Sequence, residues 1–561
     1  MTKSTSRSRN LVPMLVGLAV VASAGPVVAS DDSESSWAFA GNDLQNTRSA
    51  CGESRISRTS VSGLGVKWQF TTAGDVSATP AVDESDVYFP DSSGALYKLD
   101  RGTGALVWSH QISEYDGTTG AFARTTPAIA GDKLILGDQA TGASSPPGAS
   151  VFAINKKTGA KLWVTKLDSN PNAVITQSAV VDGNVVYVGV SSQEEGTAAF
   201  VPNYPCCTFR GSMAALNVNT GAILWQTYMT PSLPGAVAGT LAYPGASVWG
   251  STPVIDHERG SVYISTGNNY AVPAAVSNCA AQYAGQGAQL RACIAAVPGS
   301  QDDHFDSVLA LDLKTGAIKW ATTTIAYDAF TVGCAFPGGA NCPSPAGPDY
   351  DFGQGPALFD VKGAKGHSQL LGQGQKSGQY WALDPQDGSV VWVDQVGPGG
   401  SLGGLEWGSA VDGQRIYAAV ADSGFVPWTF STGLTSGKTV QGGFWAAIDA
   451  ATGKTLWETA ASNPPAVSNP ALPAGALALN LGAVTVANGV TFAGAVDANG
   501  TMYAFDASTG AILWSFQSGG SVASGAAVVD GTVFWGCGYK NAIGVGTAGR
   551  TFYAFGLPGK H

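Results

Sequence analysis

The sequence predicts an all-β chain folded into an eight-bladed β-propeller, and three observations carry that prediction. Seven copies of one repeat, A-x-D/N-x-x-x-G-x-x-x-W, run along the chain. Two half-copies stand near its opposite ends, "GVKWQF" at 65–70 and "RTFYAFGL" at 550–557. The composition suits a turn-rich sheet protein: 74 glycines and 15 tryptophans in 561 residues, and 12% charged residues against a usual ~25%.

Each repeat reads as a strand, a polar turn and a second strand ending on tryptophan, with glycine taking a backbone conformation that other residues resist. In chain order the repeats are "KLDRGTGALVW" (98–108, Lys98 in place of Ala), "AINKKTGAKLW" (153–163), "ALNVNTGAILW" (215–225) and "ALDLKTGAIKW" (310–320). "ALDPQDGSVVW" (382–392), "AIDAATGKTLW" (447–457) and "AFDASTGAILW" (504–514) follow. Upstream of most lies another hairpin, such as "TPAVDESDVYFP" (79–90), so each unit holds about four strands. The half-copies supply Trp68 and Ala554, and together they make an eighth unit that closes the ring by pairing the N- and C-terminal strands.

Successive repeat tryptophans lie 40 to 95 positions apart. A blade needs ~40–45 residues, so the surplus belongs to loops, the largest at 271–302 and 327–348. The first holds Cys279 and Cys293, the second Cys334 and Cys342, and pairing within each loop is the simplest arrangement. Cys51 and Cys537 both belong near the closing blade and suggest a clasp, although spacing leaves the connectivities open. In "YPCCTFRG" (204–211) two cysteines are adjacent. Neighbouring Cα atoms sit ~3.8 Å apart where an ordinary disulfide wants ~4.4–6.8 Å, so a bond between them would be strained and of the kind associated with function.

Residues 1–30 read as a secretory signal peptide: Lys3, Arg7 and Arg9, then the apolar run 11–25, then small residues ending at Ser30. Residues 31–561 are expected to form the propeller, exported to the periplasm or secreted, with no membrane span. A net charge of −11 argues against nucleic acid as a partner. No C-x-x-C-H haem motif and no C-x-x-C zinc pair is present.

The repeat and its surroundings resemble the quinoprotein alcohol dehydrogenases, which use pyrroloquinoline quinone (PQQ) and calcium. The resemblance spans nearly the whole mature chain and is closest to the polyvinyl-alcohol dehydrogenase branch. It implies a role for residues drawn from several blades. Trp249 in "GASVWGSTP" matches the flat floor beneath the quinone, and Asn268 in "TGNN" a calcium ligand. In "SSQEEGT" a carboxylate matches a second ligand, Glu195 best with Glu194 as the alternative, while Thr176 and Ser192 match quinone contacts. Asp351 in "GPDYDFGQG" falls at the place of a third ligand and general base, Lys376 in "GQKSG" over the quinone carbonyls, and Arg124 in "AFARTTP" at another quinone contact.

In that family a vicinal disulfide covers one face of the quinone, which implies a Cys206–Cys207 bond here, placed in a later blade than in methanol-type enzymes. Arg210 is expected at the same rim. Two departures imply an altered pocket: Glu406 beside Trp407 in "GGLEWGSA", where methanol-type enzymes carry Asn, and Leu481 where they carry Trp. The implied function is oxidation of alcohols, secondary or polymeric such as polyvinyl alcohol, with electrons passed to a separate cytochrome c or other acceptor. Against it stand a non-catalytic propeller scaffold or binding module of the cell envelope, and a quinoprotein acting on sugars. Under the scaffold reading Trp249 is core, Asn268 a turn residue, the Glu194–Glu195 pair a solvated loop, and the cations surface groups.

Overall fold

In every blade the repeat tryptophan pairs across from the first residue of its own repeat. Ala153 faces Trp163, Ala215 faces Trp225, Ala310 faces Trp320 and Ala504 faces Trp514. The closing blade brings Trp68 opposite Ala554 from the two ends of the chain. The indole then crosses to the next blade: Trp163 Nε1 donates to the Val218 carbonyl at 2.9 Å, Trp225 to Leu313 at 3.1 Å and Trp457 to Ala507 at 3.0 Å. The repeat glycine receives it. Gly221, Gly316 and Gly510 hold φ of 71°, 71° and 73°, and a Cβ there would stand 2.6, 2.4 and 2.5 Å from the preceding blade's indole. One motif therefore writes both the turn and the contact between blades.

This chain is seen in a computed structural model that describes residues 1–2, 35–140, 148–364, 366–467, 472–541 and 544–558. The expected leader, 1–30, lies outside the described residues beyond its first two. Eight antiparallel blades follow one another, beginning at the innermost strands Ala81–Val82, Ala128–Ala130, Val180–Asp182, Val254–Asp256, Ala357–Ala364, Ala410–Val411, Thr485–Ala487 and Ala527–Val529. We number them blades 1 to 8. In blade 8 the outer strand is Gly65–Thr71, paired with Thr551–Gly556, which is the closure expected from the half-copies. Among the described residues no helix is long and apolar enough to cross a membrane.

A feature the sequence does not announce is a strap over residues 37–50. The carbonyls of Trp37, Ala38, Leu44, Gln45, Thr47 and Arg48 accept from the amides of Val82, Ile129, Ile255, Leu358, Val411 and Val486 at 2.8–3.0 Å. The strap thus ties the innermost strands of six blades together across the hub. Arg48, 2% exposed, donates to the Ala40 and Val484 carbonyls and to Thr79 Oγ1.

Three disulfides are formed: Cys206–Cys207, Cys279–Cys293 and Cys334–Cys342. The second joins two helices, Ala274–Gln282 and Gly287–Ala295, that fill the longest insertion. The expected clasp is not made. Cys51 is exposed just beyond the strap, whereas Cys537 is buried in the core between blades 7 and 8, with Sγ 3.8 Å from the Ser518 carbonyl.

Candidate active site

Residues around the hub come from one place in each blade, the few positions upstream of the innermost strand. Thr79 and Thr126 each stand three residues before an amide that bonds the strap, Val82 and Ile129, and Ser178 and Gly525 hold the same place before Val181 and Val528 of blades 3 and 8. Going further upstream reaches Arg124, Thr176, Trp249, Asp351 and Glu406. These segments are turns that end on a strand, so their side chains converge on the axis.

A cavity of about 260 Å³ opens there, walled by Arg124, Thr176, Ser192, Glu195, Trp249, Asn268, Asp351 and Lys376. It shares Arg124, Thr176 and Trp249 with a narrower space of about 70 Å³ at the hub, to which Trp407 and Arg48 are added. Residues expected from five different blades therefore meet.

Asp351, 5% exposed, is held by three donors. Its Oδ2 accepts from Trp249 Nε1 at 2.9 Å and from Lys376 Nζ at 3.3 Å, and its Oδ1 from the Asn268 amide at 2.7 Å. Gly267 makes room for it, because a Cβ there would stand 2.8 Å from the carboxylate. Lys376 also reaches Asp349 Oδ1 at 2.9 Å and lies over the Trp249 ring, 5.3 Å from its centroid. Burial alone would pull the Lys376 ammonium down, but Asp349 and Asp351 outweigh it and hold the group well above its ordinary value.

The two adjacent glutamates are told apart here. Glu194, fully buried, accepts from Tyr204 Oη at 2.7 Å, Thr208 N and Oγ1 at 2.8 Å, and Phe209 N at 2.8 Å. Its acceptor capacity is taken, and it anchors the segment following Cys207. Glu195 faces the cavity, and its Oε1 is out of solvent with no partner. Burial, then Asp351, push the Glu195 carboxyl up to about 8, with Lys376 opposing. An orphaned carboxylate oxygen beside a second carboxylate is a site short of positive charge.

Both amide hydrogens of Asn268 are engaged, by the Asn269 carbonyl at 3.0 Å and the Phe330 carbonyl at 2.9 Å, which leaves its oxygen as the free ligand atom. Glu195, Asn268 and Asp351 thus offer hard oxygens of the kind calcium takes. Among the described residues no three His, Cys, Asp or Glu side chains already converge in ligating geometry, and this set is a mixed one of two carboxylates and an amide. The donors also suit a flat polar ring: among the described residues Thr176 Oγ1 is buried without a partner and Arg124 forms no carboxylate ion pair, and the Trp249 face is bounded by Gly353, where a Cβ would stand 2.8 Å from the indole.

Other expected residues lie elsewhere. Cys207 is fully buried and Cys206 partly so, in the apolar cluster with Phe209 and Tyr270, and neither is on the cavity wall. Tyr270 is the member of that cluster that reaches the cavity. The disulfide therefore shares an apolar cluster with a wall residue and does not itself line the cavity. Arg210 turns away, its guanidinium 4.3 Å from the Tyr228 ring centroid and bonded to the Thr230 carbonyl. Glu406 is buried within the field of Lys376 and Arg124 but off the cavity wall; burial raises its carboxyl and the two cations oppose that. Trp407 carries the Arg124 guanidinium 5.9 Å over its ring and meets Tyr539 edge-on at 5.1 Å. Leu481 packs with Trp407 and Tyr539 in one apolar cluster, so an aromatic from the last blade fills space next to the leucine.

Tyr270, Ser247, Asp349 and Tyr539 were not anticipated. Ser247 and Tyr270 share a hydrogen bond at 2.7 Å across the cavity wall. For the first three the available signal was position, since Tyr270, Ser247 and Asp349 each lie two residues from an expected site residue; Tyr539, beyond the blade 8 strand Thr532–Gly536, carried none.

The chain matches the PQQ_2 family profile, described as "Outer membrane protein assembly factor BamB", over residues 68–322 and 376–551. It is 32% identical over 537 residues to a polyvinylalcohol dehydrogenase of Sphingopyxis sp. (strain 113P3), covering 89% of this chain and 73% of that one. A polyvinylalcohol dehydrogenase of Pseudomonas sp is 30% identical over 534 residues, with the same coverage of 89% and 73%. Among solved structures, the quinohemoprotein alcohol dehydrogenase ADHIIG of Pseudomonas putida HK5 superposes with a TM-score of 0.67 at 17% identity, covering 95% of this chain and 82% of that one. The quinohemoprotein alcohol dehydrogenase of Comamonas testosteroni gives 0.65 at 18%, with coverage of 95% and 82%. At those identities the structures speak for the fold.

Proposed function

The chain belongs to the quinoprotein alcohol dehydrogenases, in the branch of the polyvinyl-alcohol dehydrogenases, and on that premise we propose that it oxidises secondary alcohols, polyvinyl alcohol among them, with PQQ and calcium. The observation that carries this reading is the pairing of a held carboxylate, Asp351, with an orphaned one, Glu195, on one cavity wall beside a flat indole and two cations.

In this reading Glu195, Asn268 and Asp351 would hold the calcium, and Trp249, Thr176, Ser192, Arg124, Trp407 and Lys376 would hold the quinone. The bound quinone with its calcium supplies the hydride acceptor and the Lewis acid. Asp351 is the general base: donors at 2.9 and 2.7 Å, one on each oxygen, fix its plane, and it takes the hydroxyl proton of the alcohol. Lys376 stays charged beside it, so the proton stays on the carboxylate side, and the ammonium would offer a fixed cation to the bound ring. Trp249 orients Asp351 with its Nε1 and keeps bulk water from one face of the site. Cys206–Cys207 and Glu406 support the wall from behind, as a rigid backing and a counter-charge to Arg124. Electrons leave to a separate cytochrome c or another acceptor, and the protein works outside the cytoplasm after export.

The test is reconstitution with PQQ and Ca²⁺, then dye-linked oxidation of a secondary alcohol. Asp351→Asn should keep the fold and lose about 10²–10⁴-fold in turnover. Full turnover in that variant would remove Asp351 as the base. The description of the matching profile favours a second reading, an assembly scaffold. Failure to bind quinone or reduce dye selects it.

A further inference from the structure

The insertion that follows the blade 4 strand Ile318–Thr323 meets the segments of all three proposed calcium ligands on its way into blade 5. It first runs beside Asn268. Phe330 N donates to the Asn269 carbonyl at 2.9 Å, and the Phe330 carbonyl takes one Asn268 amide hydrogen at 2.9 Å. It ends on Asp349 and Asp351. Between these points residues 331–342 are braced on themselves. The Cys334–Cys342 disulfide closes the loop, and Thr331 Oγ1 donates to the Asn341 carbonyl at 3.1 Å. A Cβ on Gly333 or Gly339 would collide with the loop's own backbone.

This braced loop reaches a third segment, the blade 3 helix Glu194–Phe200, which carries Glu195 in its first turn. Glu194 ties down the start of that helix, through Thr208 and Phe209. Its end needs a donor from outside. The last carbonyls of a helix lack intrahelical partners, and the residue four beyond Ala198 is Pro202, which has no N–H. Asn341 supplies the donor. Its Nδ2 donates to the Ala198 carbonyl at 3.0 Å and to the Tyr204 carbonyl at 3.0 Å, so both hydrogens of one amide serve this segment. Phe336 of the loop meets Phe200 edge-on, with ring centroids 5.9 Å apart. Asn341 stands at φ 57°, a backbone region that Asn tolerates better than most residues.

We propose that Asn341 is a positioning residue of the calcium site: it fixes the helix that bears Glu195 to the insertion that holds Asn268 and leads into Asp351. Calcium takes its oxygens at 2.3–2.6 Å, and here they come from three different blades. One insertion touching all three segments sets their spacing more tightly than three independent blades could. Asn341 reaches Glu195 only through the helix end and touches no ligand itself. Its value to the reaction rests on the proposed calcium site, whereas its hold on the helix does not.

The experiment separates the two. Asn341→Gly removes both donors, adds no charge and accepts the left-handed backbone. Asn488→Gly is the control: Asn488, at φ 44° in the blade 7 hairpin, donates to the Ile56 carbonyl at 2.9 Å and is not on the cavity wall. Native-state amide exchange on the quinone-free, calcium-free protein reads Thr197 and Val201, whose bonds to Gln193 and Thr197 span the helix. Both should exchange about fivefold faster in Asn341→Gly and at the wild-type rate in Asn488→Gly. Asn341→Asp, of the same size but without the N–H donors, should match Asn341→Gly in exchange. Calcium affinity, by calorimetry with PQQ saturating, should weaken about fivefold in Asn341→Gly and hold in Asn488→Gly. The proposal is overturned if Asn341→Gly keeps wild-type exchange or wild-type calcium affinity. It is overturned equally if Asn488→Gly weakens calcium as much, or if Asn341→Asp exchanges like the wild type. Should the wild type bind no calcium, the dehydrogenase reading falls, and the exchange rates alone decide whether Asn341 holds the helix.

Discussion

Raising the pH from 6 to 8 should tighten calcium binding about fiftyfold, through Glu195. Its carboxyl is pushed up to about 8 by burial and Asp351. A metal ligand must be ionised, so calcium displaces the proton. With a midpoint near 8, roughly one Glu195 in 100 is ionised at pH 6 and about half at pH 8, which gives the ratio. Stability runs the other way in the metal-free protein. A folded-state value raised from 4.5 to about 8 means the folded chain binds more protons through that window, so stability falls as pH climbs through it. Calcium should reverse the loss. Calorimetry at pH 7 in two buffers of different ionisation heat, with PQQ saturating, should report about 0.9 proton released per calcium. Glu195→Gln should bind weakly and lack the pH dependence. Glu194→Gln should retain it, because the Glu194 carboxylate serves Tyr204, Thr208 and Phe209. Equal affinity at pH 6 and 8 in the wild type would refute Glu195 as a ligand.

Other expectations test the frame and the charges. Gly316→Ala should cost about 2–4 kcal/mol in urea unfolding, since its Cβ would meet Trp225 at 2.4 Å on a left-handed backbone; Gly413→Ala, φ 81° with open space around it, should cost about 1 kcal/mol. Lys376→Met should destabilise by about 3–5 kcal/mol at pH 8 by stranding Asp349 and Asp351, and by less in acid, where Asp349, its carboxyl pushed well above its ordinary value by burial, takes up a proton. Native thiol labelling read by mass spectrometry should modify Cys51 at once and Cys537 only after unfolding. Labelling of neither would restore the clasp.

The propeller was legible because its code is local. Ala, Asp or Asn, Gly and Trp recur at spacings set by one hairpin, and the structure shows each performing a step within that hairpin or against its neighbour, as Ala310, Asp312, Gly316 and Trp320 do. The half-copies at Trp68 and Ala554 were readable for the same reason. The strap was not: its six carbonyl contacts come from a stretch with no repeat, and main-chain bonding leaves no mark on residue type. The Cys51–Cys537 clasp failed because nearness in blade order says nothing about which face of a sheet a thiol occupies.

By itself the sequence determined the number of blades, their closure, and the kinds of side chain that could gather at the hub, since covalent spacing sets all three. Tertiary structure decided which of two neighbouring glutamates is free. Successive residues of the Glu194–Phe200 helix point about 100° apart, and Glu194 is consumed by partners ten to fifteen residues away while Glu195 is left facing Asp351. It also decided that the vicinal disulfide lies off the cavity wall, in one apolar cluster with Tyr270, and that Arg210 turns to Tyr228. Residue type states what a group can do; only the packing of distant segments states what remains for it to do.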